Sequence, residues 1–157
     1  MAVEYEQWMH QALDLARVAM QMDEVPIGCV IVHNPTNRII GRGHNRRETD
    51  RDPTAHAEIL AMRQAGQTLG YWRLVDCTAV VTLEPCAMCA GAMVNARIDH
   101  LIYGCDDPKA GAVRTLYNIC DDARLNHRMR ITGGVCSANC SQILQEFFRI
   151  RRGSVSP

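Results

Sequence analysis

The sequence predicts an α/β domain in which helices cover both faces of one mixed sheet of about five strands, a three-layer α/β/α sandwich. Two observations carry that prediction. Segments of helical and of strand periodicity alternate in the order α-β-β-α-β-α-β-β-α, and no repeat, low-complexity tract or linker interrupts the 157 residues. The length suits a single domain over residues 1–157, and 47% apolar against 22% charged residues is ordinary globular composition.

The elements follow in order. Residues 4–22 carry Tyr5, Trp8, Ala12, Leu15, Ala16 and Ala19 at helical spacing. "VPIGCVIV" is apolar on both faces, as a central strand is; "HNPTN" is a turn and "RIIGRGHN" a second strand, so the pair forms a hairpin. Residues 55–69 are helical, "CTAVVTL" is a strand, "CAMCAGAMVNA" a helix and "DHLIYG" a further strand. A polar loop leads to a short strand at "MRIT" and to a last helix with a stripe of Ile143, Leu144, Phe147 and Ile150. In such sheets the reactive site forms where strands end and helices begin. Two motifs stand at these junctions: His56-x-Glu58 and Pro85-Cys86-x-x-Cys89.

Composition excludes several classes. Lys plus Arg number 17 and Asp plus Glu 17, which removes the large basic field that sequence-blind binding to long nucleic acid requires. No apolar run approaches the roughly 20 residues of a membrane span. The opening "MAVEYEQWMHQALD" is acidic and amphipathic, unlike an export signal. The expected compartment is the cytoplasm, where thiols stay reduced, so the eight cysteines are expected as core residues, metal ligands or redox groups and not as a disulfide framework.

A CxxC pair alone arises by chance about 0.4 times in such a chain. Combined with His-x-Glu and a proline ahead of the first cysteine, the expectation falls to about 0.004. Cys86 and Cys89 on the first turn of a helix present their sulfurs on one face, and the helix N-terminus favours thiolates there. Pro85 suits the helix mouth, where a missing N–H costs nothing. His56 completes a ligand set that suits Zn²⁺ and leaves a fourth tetrahedral position open, as catalytic sites do. Zinc lowers the pKa of bound water to about 7, and Glu58 beside it is placed to take the proton and pass it on.

These motifs resemble those of the bacterial tRNA-specific adenosine deaminases, which convert adenosine to inosine at the first anticodon position. The resemblance runs through "EVPIGCVIV", "GHNRRE", "DPTAHAEILAMRQA", "VTLEPCAMCAGAMVNARI", "YGCDDPKAGA", "LNHR" and "FFRIRR", almost the whole chain. It implies a cytidine deaminase-like fold, zinc on His56, Cys86 and Cys89, and Glu58 as proton shuttle. It implies that Asn45 contacts the target nucleotide and that backbone groups near Ala57 and Glu84 hold the base or the reacting water. Asp107 matches a position that touches the RNA where a 2′-hydroxyl can be read. The implied partner is a tRNA anticodon stem-loop, that of an arginine tRNA, bound by both subunits of a homodimer. Arg46, Arg47, Arg149, Arg151 and Arg152 become candidates for phosphate contacts. Two stretches depart from the family pattern: Cys105-Asp106 replaces a small residue often followed by a basic one, and "VRTLYNIC" differs from the commoner loop. Both lie toward the RNA and not toward the zinc.

Three rivals keep the same residues in view: a free nucleobase or nucleoside deaminase with the same zinc chemistry, a thiol–disulfide oxidoreductase on Cys86-x-x-Cys89, and a structural zinc module. The oxidoreductase leaves His56 and Glu58 without roles. Elsewhere, Cys136 and Cys140 after His127 suggest a second metal, but both continue the apolar stripe of the last helix and are expected in its packing. Cys29 and Cys77 are expected in the core, and Cys105 and Cys120 either there or partly exposed. His44, beside Asn45, is expected either near the pocket or as a hydrogen-bonded structural histidine, and His10, His33 and His100 at surfaces or strand ends.

Overall fold

The computed structural model describes residues 2–154. In chain order it holds helix α1 (Ala2–Gln21), strands β1 (Gly28–His33) and β2 (Arg38–His44), α2 (Ala57–Leu69), β3 (Cys77–Leu83), α3 (Ala87–Ala96), β4 (His100–Cys105), β5 (Arg130–Thr132) and α4 (Ser137–Ser154). The strands form one sheet in the order β2-β1-β3-β4-β5. Strand β1 runs antiparallel to both β2 and β3, whereas β3, β4 and β5 are parallel. The mixed sheet expected from the element order is therefore present.

Alternation along the central strands feeds two cores. Cys29, Ile31, Ala79, Val81, Leu101 and Tyr103 face a core shared with α2 and α3. Val30, Val32, Val80, Ile102 and Cys105 face the opposite core, built with Met9, Leu13 and Ala16 of α1 and Cys140 and Ile143 of α4. Two pairs of helices thus sandwich the sheet. Packing is close enough to require glycine at two points: a side chain on Gly28 would run into the α1 backbone at Ala12, and one on Gly43 into the α2 backbone at Ala57. Gly43 thereby lets the start of α2 lie directly on β2.

Two expectations change, those for Ile150 and Cys136; His100 opens β4, at a strand end as expected. Ile150, placed by periodicity in the α4 stripe, is 53% exposed, because the buried face of α4 has ended with Phe147. His100 is buried, under the edge of the Tyr5 ring and bonded to the Thr132 hydroxyl at 2.8 Å. Cys136 precedes α4 at a positive φ of 53° and is half-buried, while Cys140 is fully buried. Among the described residues these two join no metal-ligating group.

Candidate active site

Two helices begin at the same place. His56 is the N-cap of α2 and Cys86 the N-cap of α3; both have extended backbone and neither side chain caps its helix, so both are free to turn outward together. Cys89 sits one turn into α3. The Nδ1 of His56 lies 3.6 Å from the Cys86 sulfur and 3.5 Å from the Cys89 sulfur. Tetrahedral zinc, at about 2.3 Å to sulfur and 2.05 Å to nitrogen, separates such ligands by about 3.6 Å, which both nitrogen–sulfur distances match, and all three ligand atoms lie within 4.8 Å of one another. Two positive helix ends converge on them. The Cys86 thiol is drawn down to about 4, first by the hydrogen bond from the Cys89 thiol and then by His56; the same contact pushes Cys89 up.

Glu58 stands in the first turn of α2, 4% exposed. Burial raises its pKa, and the neighbouring Cys86 adds to the rise. His56, Glu58 and Cys86 line a cleft of about 680 Å³ whose walls include Asn45, Ala57, Glu84 and Asp107. Outer lining residues are Arg47, Lys109, Gln145, Phe148 and Arg152. A metal triangle beside a proton-hungry carboxyl, in a cleft large enough for a nucleoside, is equipment for hydrolysis at a polar carbon.

Comparison with known proteins places the chain. The sequence profile of the MafB19-like deaminases matches residues 3–152. A tRNA-specific adenosine deaminase of Streptococcus pyogenes serotype M1 is 49% identical over 142 residues, 90% of this chain and 82% of that protein. The chain belongs to the tRNA-specific adenosine deaminases. A solved tRNA:A34 deaminase, studied for A-to-I editing at the wobble position of transfer RNA, superposes with a TM-score of 0.83 at 42% identity, covering 88% of this chain and 99% of that one. A guanine deaminase of Nitrosomonas europaea shares the fold more distantly, with a TM-score of 0.79 at 25% identity over 90% and 83% of the two chains.

In this deaminase the rest of the cleft is held by hydrogen bonds within the chain. Asn45, 6% exposed, donates to the Val25 carbonyl at 3.3 Å and accepts from the Arg47 N–H at 3.1 Å, which leaves one amide hydrogen for a ligand. Two buried carboxylates that sequence reasoning did not single out as clamps secure the flanking loops. Glu24 accepts from the N–H groups of Glu48 and Thr49 at 3.1 and 2.7 Å. Glu84 accepts from the N–H groups of Asp107, Val113, Arg114 and Thr115 and from the Thr115 hydroxyl. Burial acts to raise the Glu84 pKa, but these bonds outweigh it and hold the carboxyl below its usual range. A signal existed for it: an acidic residue closing an apolar strand buried on both faces must find donors. Asp107 accepts from the N–H groups of Lys109 and Ala110 through Oδ1, at 3.0 and 3.2 Å, which shapes the turn.

The arginines separate. Arg152 and Arg47 line the cleft. Arg46 is engaged by Asp50 at 2.9 Å, Arg151 lies 5.4 Å over the Phe147 ring, and Arg149 is exposed away from the cleft lining. Phe148, 43% exposed on the cleft face of α4, was missed because it falls outside the buried stripe. Cys105 and Asp106 both line the cleft. The Cys105 thiol donates to the Thr82 carbonyl at 3.7 Å, and burial pushes its pKa up to about 11.

Proposed function

We propose that this chain, acting as one domain, hydrolyses adenosine to inosine and ammonia at the first anticodon position of a tRNA, with zinc on His56, Cys86 and Cys89. The observation that carries the reading is the Nδ1–sulfur triangle with Glu58 buried beside it at the floor of an open cleft. Zinc, when bound, supplies a nucleophilic oxygen at neutral pH. Glu58 takes one proton of the attacking water and delivers it to N1 of the adenine, then carries the second, from the new C6 hydroxyl, to the departing amine, so that ammonia leaves and the C6 oxygen becomes the carbonyl of inosine. Its raised proton affinity suits a group that must hold a proton between two transfers. Asn45 orients the target nucleotide with its spare amide hydrogen, and backbone groups of Ala57 and Glu84 hold the base. Asp107 reads the sugar. Phe148 offers a face on which a neighbouring base stacks, and Arg47, Lys109 and Arg152 meet phosphates.

The outer lining supports an RNA over a free base, which would not need three cations at the mouth. An arginine tRNA in the cytoplasm is the proposed substrate. The homodimer is proposed as well, supported by an exposed apolar groove between α2 and α3 rimmed by Tyr71 and Trp72, 53% and 56% exposed. Among the described residues no helix is long and apolar enough to cross a membrane.

The test is inosine formation by zinc-loaded protein on an anticodon stem-loop with adenosine at its first anticodon position, beside guanine, cytosine and free adenosine, with Glu58→Ala as control. Inosine in the RNA only, lost with Glu58→Ala, is the expected result. Turnover of a small molecule alone transfers the zinc chemistry to the free-base class. Zinc content that survives His56→Ala defeats the ligand assignment.

A further inference from the structure

Glu84 directly precedes the Pro85-Cys86 segment, yet its side chain turns into the loop that follows β4. Oε1 accepts from the Asp107 N–H at 3.0 Å and from the Thr115 hydroxyl. Oε2 accepts from the N–H groups of Val113, Arg114 and Thr115 at 3.1, 2.9 and 3.0 Å. The Pro85 carbonyl adds the Ala112 N–H at 2.9 Å. A carboxylate is the side chain whose acceptor capacity meets so many donors; an amide would turn its own N–H groups toward some of them. Gly111 belongs to the same arrangement, since a Cβ there would run into the Glu84 carboxyl group, which is 1% exposed and held from both oxygens.

We infer that the Glu84 side chain is a positioning residue: it draws both ends of the 107–115 loop onto the segment that leads to Cys86, and so sets where Asp107 and Lys109 meet the substrate. The Glu84 carboxylate acts through the loop and does not itself touch the RNA. This role is separate from any contact its backbone makes with the base, and it rests on the adenosine deaminase reading for the choice of RNA.

A double-mutant cycle distinguishes positioning from mere support of the fold. In the full, zinc-loaded chain, kcat and KM for inosine formation on the anticodon stem-loop are measured for Gly111→Ala, Asp107→Ala and the pair. The Kd of the same stem-loop is measured on a Glu58→Ala background. Gly111→Ala is expected to raise KM and Kd about tenfold, with kcat within about threefold and zinc unchanged, because the clamp opens while the metal segment stays. The pair is expected to cost no more than about twofold beyond the worse single variant. Thr115→Val, an exposed position that loses one donor, is expected to show the same pattern at about threefold, and replaces Gly111→Ala in the cycle if that variant does not fold. Unchanged KM and Kd, single effects that multiply in the pair, or kcat and zinc falling together would each overturn the inference. If the wild type binds the stem-loop without making inosine, the deaminase reading fails while the Kd measurements still decide the loop; if it neither binds nor edits, both fail.

Discussion

The floor and the rim of the cleft each hold a buried glutamate, and the two carboxyls differ in their appetite for a proton. Both are shielded from solvent, Glu58 at 4% exposed and Glu84 at 1%, but Glu58 lies far deeper among protein atoms and burial weighs more heavily on it. Burial drives both upward. At Glu58 the opposing donors are its own backbone N–H and the Cys89 thiol, and Cys86 adds negative charge, so the pKa stays raised. At Glu84 four backbone N–H groups and a hydroxyl outweigh burial, and the pKa is lowered. Depth of burial and donor count together decide whether such a carboxyl carries protons or stands as a fixed anion.

The comparison breaks most sharply on activity. Glu58→Gln is expected to cut kcat on the stem-loop by about 10²- to 10⁴-fold. Its thermal stability should remain within about 1 kcal/mol of wild type, because an uncompensated buried acid is being removed. Calorimetry and single-turnover inosine assays on the same preparation check both halves. The same change at the rim should do the reverse in stability: Glu84→Gln forces N–H against N–H and is expected to cost about 3 kcal/mol, or roughly 10 °C in Tm. Equal destabilisation by the two substitutions would mean that donor count is not what distinguishes them.

His100 sharpens the contrast on the other side of the sheet, where a buried cation-former has too little acceptor help. Burial, with Arg130 adding, lowers its pKa from 6.5 to about 4. The folded state then binds the proton less readily than the unfolded state, so this stability is complete above pH 6.5 and is lost as pH falls toward 4. The loss amounts to about 3 kcal/mol over that window. Urea unfolding at pH 7 and pH 4.5 should reveal it in the wild type and not in His100→Gln; parallel slopes would assign the acid sensitivity elsewhere. The smallest expected effect lies on α4. Arg152→Ala should lower the slope of log Kd against log salt by about 0.7, one single-strand phosphate contact, and Arg149→Ala by about 0. Equal slopes would remove the distinction between the cleft face of α4 and its back.

Legibility followed the distance over which each feature is encoded. Strand β3 coincides with "CTAVVTL" because the apolar run is bounded by Asp76 on one side and Glu84-Pro85 on the other. The clustering of His56, Cys86 and Cys89 was legible because the three residues belong to two short motifs at helix starts. The Glu84 clamp was not, since its donors lie 23 to 31 residues away and four of them are main-chain groups that carry no residue-type signal. His100 is the strand-end residue the sequence predicts, but its burial was not legible, since it depends on Tyr5 of α1, 95 residues away, folding over it. Ile150 satisfied the helical period, but period alone does not say where a helix outruns the sheet beneath it.

Because Glu84 holds the rim mainly by main-chain N–H groups, the loop's exposed side chains are left open to change. Arg114 could be exchanged for another residue without loosening a bond to the clamp, so long as it does not become proline, which has no N–H to give. Val113, by contrast, is also packed in the core, and Asp107 also holds the turn through its Oδ1. Thr115 alone also lends its hydroxyl. Pro108 sits at a place whose N–H the clamp never uses, and Gly111 must keep its bare Cα. A lineage of such enzymes can therefore revise what its rim recognises one residue at a time, while the frame that presents those residues to the metal end of the cleft is inherited unchanged.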